Sequence, residues 1–325
     1  MKSDVYLVRL KGSDLKEKIS SIERLIEAID PFSIFNKDEI TPVKITIGES
    51  SCVYNIRPEI VKAVITELKK KKTRPFVFDT NVIYRGQRSN AVDHLNLANN
   101  KGFGPSKIGA PFIIADGLLG QDGKEYDIKG DHIKKIKAPS FVGMLKNLVV
   151  LSHVTGHIVS GYAGAIKNVA MGMACKPTKQ VQHSSLKPHV KKDECTACGC
   201  CIDICPVSAI SWKEEKAFID QGLCIGCAEC LCACKFNAIF INWAEEQLTF
   251  CKRMVEVAEF ILSKFKNKFF INFAFDITKE CDCISDKNDR IIGENLGILA
   301  SRDIVSLDKA SVDLLDEKED VFLKA

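Results

Sequence analysis

The sequence lacks several features that define whole classes of protein. It contains no apolar run of about 18 residues, so we expect no membrane-spanning helix. Its first residues, MKSDVYLVRLKG, carry no apolar stretch with a cleavage site, so we expect no signal peptide and a cytoplasmic protein. The one dense basic run, 69–74, ends a predicted helix, where cations favour the helix dipole. Without a basic stripe or a helix-turn-helix pattern, nucleic acid is not an expected partner.

Cysteine, in contrast, is abundant. There are 15 cysteines among 325 residues, and 46% of the residues are hydrophobic, enough to fill a core. In a chain without an export signal, so many cysteines indicate reduced thiols that bind metal rather than disulfides.

Eight of the cysteines form two C-x₂-C-x₂-C-x₃-C runs, the second 29 residues after the first at every position. Three thiolates at this spacing surround one [4Fe–4S] cluster, whereas the fourth points away and binds the other cluster. The pattern therefore predicts two clusters whose ligands cross between the runs. The first set of ligands is Cys195, Cys198, Cys201 and Cys234, and the second is Cys224, Cys227, Cys230 and Cys205.

Zinc is the alternative, because C-x₂-C pairs are also typical of tetrahedral zinc sites. Zinc gives no reason for the fourth, crossed cysteine of each run, so we prefer iron–sulfur ligation. Each thiolate-bound cluster carries about two negative charges, so two clusters nearly cancel the formal net charge of +4.

The segment that carries the repeat resembles the bacterial-type ferredoxins with two [4Fe–4S] clusters, over roughly residues 188–243. Pro206 follows Cys205 as the pattern of that family requires, whereas Lys235 follows Cys234 and departs from it. The resemblance implies a small α+β ferredoxin-like domain.

On both sides of this segment, short apolar runs alternate with helical periodicity, which is typical of a mostly parallel sheet covered by helices. Strands are predicted at 5–10, 43–47, 75–78, 112–115, 148–151, 269–275 and 296–300. Helices are predicted at 15–29, 58–71, 91–100, 163–173, 251–265 and 305–315. Because 244–325 is too short for a separate domain of this kind, we predict one α/β domain from 1–187 and 244–325, with the ferredoxin domain 188–243 inserted.

Polar residues follow the predicted strands, at the edge where open α/β sheets bind their ligands. They are Asp79, Thr80, Asn81, Asp116, His153, His157, Asp276 and 301–303. A group just before a predicted helix suits an anion, and it consists of Arg85, Arg88, Ser89 and Asn90.

The segment 156–168 runs through glycines into another predicted helix, so its backbone amides can approach a phosphate or carboxylate. Asn168 is a further candidate contact, and His153, His157 and Lys167 are candidate proton donors or electrostatic clamps. The alternative is that all these residues make only turns, surface ion pairs and structural hydrogen bonds.

Cys281 and Cys283 form a C-x-C pair after a predicted strand. Such a pair can bind a third metal if His153 or His157 completes the ligand set. The alternative is that both thiols are inert.

Several long motifs outside the cysteine repeat resemble the domain of unknown function 362 family, whose members with this layout are described as uncharacterized iron–sulfur centre proteins. The motifs are DTNVIYRGQRSNAVDH (79–94), GAPFIIADGLLG (109–120), SHVTGHIVSGYAGAIKNVAMGMA (152–174), CDC (281–283) and LGILASRD (296–303). The resemblance implies an α/β domain with a ferredoxin-type insertion, and it implies no particular reaction.

The sequence therefore predicts an iron–sulfur redox protein. Its two clusters would exchange single electrons with a soluble protein partner and pass them to a small anionic substrate or cofactor in the crevice, as a ferredoxin-type oxidoreductase does. Two alternatives stay open: an electron-transfer adaptor that docks on a larger oxidoreductase, and an oxygen or iron sensor whose clusters maintain a conformation.

Overall fold

The structure is a computed structural model. It describes residues 3–84, 86–183, 187–224, 226, 230, 233–236, 238–241 and 243–319, with the backbone alone at 241, 243–246, 318 and 319. The predictions for Arg85 and Cys227 lie outside the described residues. No helix in these ranges is both long and apolar enough to cross a membrane.

A seven-stranded sheet forms the centre of the protein. Its strands are β1 (Val5–Arg9), β2 (Ile40–Lys44), β3 (Arg74–Asp79), β4 (Phe112–Ile114), β7 (Asn147–His153), β14 (Asn267–Ala274) and β15 (Gly297–Ser301). They lie in the order β1, β15, β14, β7, β2, β3, β4. Strands β14, β7, β2, β3 and β4 are parallel, and β15 is antiparallel to both neighbours. The prediction of an α/β protein with a mostly parallel sheet is confirmed.

Helices cover both faces of this sheet. The α-helices of the described residues are α1 (Leu15–Ile29), α2 (Pro58–Lys70), α3 (Ala91–Asn100), α4 (Pro105–Ile108), α5 (Ala165–Ala170), α6 (Lys176–His183), α7 (Cys200–Asp203), α8 (Trp243–Ser263) and α9 (Ile304–Glu319). Of these, α7 belongs to the cysteine-rich segment and not to the sheet. One buried cluster joins α1 and α2 to the sheet, and another joins α5, α8 and α9 to it. The strands are therefore buried on both faces, which explains why β7 is apolar along most of its length.

The helices begin where the sequence supplies a cap and an apolar stripe. In α1, the Asp14 side chain accepts a hydrogen bond from the Glu17 amide, and Ile22, Leu25 and Ile26 are buried against the sheet. An N-cap aspartate followed by apolar residues three and four apart is the pattern of an amphipathic helix. Helix α1 consequently begins and ends at the predicted residues.

Four shorter strands form hairpins outside the sheet. They are β5 (Lys124–Asp127) with β6 (Lys135–Ala138), and β8 (Thr155–His157) with β9 (Gly161–Ala163). The second hairpin follows β7 directly and leads into α5. It therefore fixes the chain at the carboxyl edge of the sheet.

The segment between α6 and α8 has its own strands. They are β10 (Pro188–Val190), paired with β13 (Ile239–Ile241), and β11 (Ile210–Lys213), paired with β12 (Lys216–Ile219). None of the described strands here pairs with the central sheet. A separate buried cluster, which includes Ile210, Ile219 and Ile239, holds the segment together. Its assignment to the ferredoxin fold, with boundaries at 188 and 243, stays a prediction.

Candidate functional site

A pocket of about 730 Å³ opens at the carboxyl edge of the parallel strands. Its wall contains residues just after β2 and β3, such as Thr46 and Thr80, and His153 at the end of β7. It also contains Lys167 from α5 and the turn 281–284, which follows β14. Ligands of open α/β sheets bind at this edge, so the pocket is the candidate site.

One wall of the same pocket comes from the cysteine-rich segment. Ile204, Gly226 and Ala233 line it. Ile204 precedes Cys205 and Ala233 precedes Cys234 in the sequence, so two predicted cluster ligands are covalent neighbours of pocket residues. The segment and the α/β edge therefore share one cavity.

A buried carboxylate, Asp79, organises the polar floor of the pocket. It lies 3.0 Å from Lys44 Nζ, 3.5 Å from Arg88 Nη1 and 3.6 Å from His94 Nε2. Burial raises the pKa of Asp79, but Lys44, His94 and Arg88 outweigh that effect and hold the pKa below its ordinary value. Asp79 is therefore an anion surrounded by cationic and polar groups.

Arg88, a predicted anion ligand, does line the pocket but is already engaged. Its side chain is 2% exposed, Nε donates to Glu49 Oε1 at 3.1 Å, and Nη2 donates to the Tyr84 hydroxyl. With Asp79 as a third partner, much of its charge is balanced within the protein. Arg88 holds the pocket wall together, and it contributes only the remaining positive charge to a ligand.

The expectation that Ser89 and Asn90 belong to the same anion site needs correction, because neither lines the pocket. The Asn90 side chain caps α3 by accepting from the Asp93 amide at 3.0 Å. The Ser89 carbonyl accepts from Lys176 Nζ at 2.6 Å. Asn90 therefore serves the start of α3, and Ser89 connects this segment to α6.

Asn168 lines the pocket, but its side chain is used within the protein. Its Oδ1 accepts from Lys44 Nζ at 2.7 Å and from the Thr46 hydroxyl at 3.2 Å. Its Nδ2 donates to the Leu151 carbonyl at 2.9 Å and the Ser152 hydroxyl at 3.0 Å. Asn168 therefore joins α5 to β2 and β7 rather than presenting free donors to a ligand.

Four amides of the glycine-rich segment, which the sequence predicted to approach a phosphate or carboxylate ligand, donate to groups of the protein instead. Ala165 N and Ile166 N donate to the Asp308 carboxylate at 2.9 and 2.8 Å. Val159 N and Ser160 N donate to His157 Nδ1 at 3.2 and 3.0 Å. A carboxylate from α9 thus takes the place at the start of α5 that we expected an anionic ligand to take.

Lys167 is a predicted residue that lines the pocket, where it interacts with Cys281. Burial lowers the pKa of Lys167, but the sulfurs of Cys281 and Cys283 outweigh burial and raise it. Lys167 is a stable cation on the pocket wall.

The two predicted histidines line the pocket in structural roles. The nitrogens of His153 lie 2.8 Å from Asp282 Oδ1 and 2.9 Å from the Phe275 carbonyl, so both are occupied. His157 accepts amide hydrogen bonds through Nδ1, and burial, assisted by Lys167, lowers its pKa well below the ordinary value. A neutral His157 is a poor proton donor at neutral pH, which corrects the expectation of an acid at this position.

Cys281 and Cys283 lie in a turn on the pocket wall. The interaction of its thiol with Cys281, followed by the charges of Lys167 and Arg88, lowers the pKa of Cys283 well below its ordinary value. The same interaction between the thiols, together with burial, raises the pKa of Cys281. The pair is a thiolate beside a thiol.

These surroundings disfavour the predicted third metal. Two cations, Lys167 and Arg88, act on the pair, and they repel a metal ion. His153 has no free nitrogen to complete a ligand set. In the described part of the chain, no three His, Cys, Asp or Glu side chains are grouped to hold a metal ion.

Among the pocket residues that were not predicted from the sequence are four with titratable side chains, which are Glu49, Tyr84, Lys179 and His183. Lys179 donates to the Thr80 hydroxyl at 2.8 Å, and burial lowers its pKa to about 8. Burial also lowers the pKa of His183 to about 4. Both residues lie on α6, where no strand end or glycine run indicates a site.

The first predicted ligand quartet converges in the structure. Cys195, Cys198, Cys201 and Cys234 all line one small cavity. The other residues of its wall are mostly apolar and include Val190, Trp212, Ala217 and Ile239. Between the ligands, Ala197 and Gly199 have positive φ angles of 56° and 81°, which bend the chain around the cavity. These thiols are not grouped closely enough to hold a single metal ion, but four thiols that line one apolar cavity supply the donor set of a [4Fe–4S] cluster, in which each cysteine binds a different iron.

Of the second quartet, Cys205, Cys224 and Cys230 are described, and they pack in one cluster with Cys195, Cys201 and Cys234 of the first. The Ala209 amide donates to Cys205 Sγ at 3.2 Å, which fixes the position of this sulfur. These residues also fit the predicted cofactor, while the fourth, Cys227, lies outside the described residues.

Comparisons with known proteins give partial matches to iron–sulfur proteins. The chain is 42% identical over 59 residues to the putative electron transport protein YsaA of Escherichia coli (15% of this chain, 38% of that protein). It is 43% identical over 42 residues to the uncharacterized ferredoxin MJ0265 of Methanocaldococcus jannaschii (13% of this chain, 25% of that protein). The chain thus spans less than two fifths of the length of these curated relatives.

A solved structure of a Thermotoga maritima protein aligns with 95% of this chain and 60% of its own, at 10% identity and a TM-score of 0.48. A family match covers much more of the sequence than the curated relatives do. The match extends over residues 42–313, which include the pocket, the C-x-C turn and both cysteine runs. The chain belongs to the family described as Domain of unknown function (DUF362).

Proposed function

We propose that this protein is an iron–sulfur redox protein that passes single electrons from a soluble protein partner to a small anionic molecule in the pocket. One observation carries the proposal: the cavity that contains Lys167 is also lined by Ile204 and Ala233, the neighbours of two predicted cluster ligands. A molecule in this cavity would lie beside the cluster-binding segment. The exchange is expected in the cytoplasm.

The proposed cofactors are two [4Fe–4S] clusters, which supply single-electron transfer when bound. The first would be held by Cys195, Cys198, Cys201 and Cys234, and the second by Cys224, Cys227, Cys230 and Cys205. The convergence of the first quartet on one cavity supports this ligand set. The partial likeness to a putative electron transport protein and to a ferredoxin supports the same role.

The charges of the pocket favour an anion. Lys167 and Lys179 both line it, and a pKa of about 8 leaves Lys179 mostly protonated at neutral pH. Arg88 adds the part of its charge that Glu49 and Asp79 do not balance. The low dielectric of a largely buried cavity strengthens the attraction of these cations for a carboxylate or phosphate. Lys167 is the cation whose position is best suited to bind the ligand.

Ligand binding can be tested by thermal shift on anaerobically purified protein. We expect some members of a panel of small carboxylates and phosphates to raise the melting temperature, because a ligand that binds only the folded state stabilises it. Lys167→Met should reduce that rise. Lys135→Met is the matched control, because Lys135 pairs with Glu125 on an exposed hairpin and should bind as the wild type does.

The same sample tests electron delivery. Clusters reduced with a slight excess of donor should be reoxidised when the stabilising compound is added, and more slowly in Lys167→Met. A protein whose clusters are reduced but whose melting temperature responds to no anion would contradict the substrate part of the proposal. It would favour an adaptor that binds no small molecule.

A further inference from the structure

We propose that Cys281 and Cys283 form a dithiol–disulfide couple that collects two single electrons and delivers them as a pair to the disulfide bond of a small anionic molecule. This inference rests on the proposed electron-transfer function and adds the class of substrate. It gives the C-x-C pair a redox role instead of the predicted role as ligands of a third metal.

The turn that carries the pair is held rigidly on the pocket wall. The amides of Ile284 and Ser285 both donate to the Cys281 carbonyl at 3.0 Å, and the Glu49 amide donates to the Asp282 carbonyl at 3.2 Å. The Asp282 side chain is fixed by His153 at 2.8 Å. The two cysteines are separated by one residue on this turn, and both line the pocket, so the turn presents both thiols on one wall.

The charges around the pair assign different roles to the two sulfurs. Lys167 and Arg88 stabilise a thiolate at Cys283, and the thiolate is the form that attacks a disulfide. Cys281 keeps its proton and is hydrogen-bonded to Lys167. Cys283 is therefore the attacking sulfur, and Cys281 is the sulfur that resolves the intermediate.

The proposed exchange transfers two electrons to the substrate disulfide. Cys283 thiolate attacks the substrate disulfide, forms a mixed disulfide and releases one substrate thiolate. Cys281 gives its proton to the released thiolate, attacks the mixed disulfide and releases the second substrate thiolate, which leaves a Cys281–Cys283 disulfide. Two electrons from the external donor, delivered singly, and one proton from solvent restore the Cys281 thiol and the Cys283 thiolate. The net change is the reduction of one disulfide by two electrons and one proton to one thiol and one thiolate.

The position of the pair suits this supply of electrons. Both cysteines line the cavity to which Ile204 and Ala233 contribute, beside Cys205 and Cys234. The cations of the same wall, Lys167 and Lys179, select a substrate of negative charge. The proposed clusters, which carry single electrons, and the Cys281–Cys283 pair, which carries two electrons, thus lie beside the same pocket.

Glutathione disulfide, an anion, is the probe for the thiol chemistry. We expect Cys281→Ser to accumulate a mixed disulfide on Cys283 by mass spectrometry, and Cys283→Ser to form none at Cys281. The wild type and the control Cys251→Ser, whose substitution lies on α8, should instead contain a Cys281–Cys283 disulfide. The dication cystamine should react several-fold more slowly than glutathione disulfide. Equal labelling of both single variants, or faster reaction with cystamine, would overturn the proposal.

Anaerobic reductive titration with reduced methyl viologen tests the electron supply. After treatment with glutathione disulfide, the wild type should take up about two electrons more than Cys283→Ser, and its disulfide should open. If the clusters are bleached but the disulfide stays closed, the inference is wrong and the proposed electron-transfer function stands. If the clusters are not reduced at all, the proposed function fails, whatever the thiols do with glutathione disulfide.

Discussion

Lys44 connects two residues of the pocket wall from a fully buried position. Its Nζ lies 3.0 Å from Asp79 Oδ1 and 2.7 Å from Asn168 Oδ1, and its side chain has no solvent exposure. Removing one partner of a buried ion pair leaves an uncompensated charge in a medium of low dielectric. The cost of this kind of change is much larger than that of breaking a surface pair.

We therefore expect Lys44→Met to lower the free energy of unfolding by about 3 kcal/mol in urea denaturation. The double variant Lys44→Met, Asp79→Asn should recover part of this loss, because it also removes the stranded carboxylate. Lys135→Met, which breaks the exposed pair with Glu125, should have little effect. A Lys44→Met protein as stable as the control would show that this buried pair does not support the pocket.

Asp116 is expected to make stability depend on pH. Its carboxylate accepts from the amide and the side chain of Asn81 at 2.9 Å, and burial raises its pKa from 3.8 to about 6. The folded protein thus holds this proton more tightly than the unfolded chain does. The residue contributes stability that is fully present below about pH 4 and is lost as the pH rises through 6.

In Asp116→Asn this titration is absent. The free energy of unfolding of the variant, relative to the wild type, should therefore increase between pH 4 and pH 7, by at most about 3 kcal/mol. Denaturation at several pH values measures the difference directly. A difference that stays constant over this range would mean that Asp116 titrates alike in the folded and unfolded states.

At the scale of single residues, the sequence predicted where the candidate side chains lie better than it predicted what they bind. Of the predicted site residues, Arg88, His153, His157 and Lys167 do line one pocket, whereas Asn81, Asp116, Asp276 and 301–303, which were predicted from the strand ends, do not. Only the folded chain shows that Glu49 neutralises much of the charge of Arg88 and that Asp282 fixes His153. These partners lie 39 and 129 residues away, so no local pattern connects them.

Among the elements, the hairpin β8–β9 and the turn 279–283 pack against each other without room for a side chain. The Gly156 amide donates to the Thr278 carbonyl at 2.8 Å, and a Cβ at Gly156 would lie 2.1 Å from the Lys279 carbonyl oxygen. That distance is far below a van der Waals contact. Glycine is required here by the close approach of two backbones.

Gly156→Ala should therefore push the turn that carries the C-x-C pair away from β8. We expect a loss of about 1 to 3 kcal/mol in the free energy of unfolding, together with faster alkylation of Cys283. Gly12→Ala is the control, because the nearest atom to its added Cβ lies 3.9 Å away. Identical melting temperatures for the two variants would contradict the packing argument.

The same region shows why one predicted helix is shorter than expected. The sequence predicted a helix at 163–173, whereas α5 spans Ala165–Ala170. Residues 161–163 pair with β8 instead, and Asp308 from α9 accepts the first helical amides. A cap supplied from a helix about 140 residues later cannot be read from the local sequence. The helices at 15–29 and 91–100 have local caps, Asp14 and Asn90, and were predicted to the residue.

On the scale of the whole molecule, the mostly parallel sheet followed from the alternation of apolar runs and helical stretches. The order of its strands did not, because β14 and β15 join the sheet after the long intervening cysteine-rich segment. The shared pocket was also beyond the sequence, since it depends on where Ile204 and Ala233 lie relative to the α/β edge. The spacing of the cysteines predicts which residues bind the clusters. The position of the cysteine-rich segment relative to the sheet determines that a pocket lies beside those residues.

The account as a whole depends on the two interleaved cysteine quartets. The most direct measurement is electron paramagnetic resonance of anaerobically purified protein before and after reduction, with iron and sulfide counted on the same sample. The account predicts brown protein with about eight irons and eight sulfides, and the signals of two interacting reduced clusters. Colourless protein that contains zinc or little iron, and that gives no signal on reduction, would contradict it.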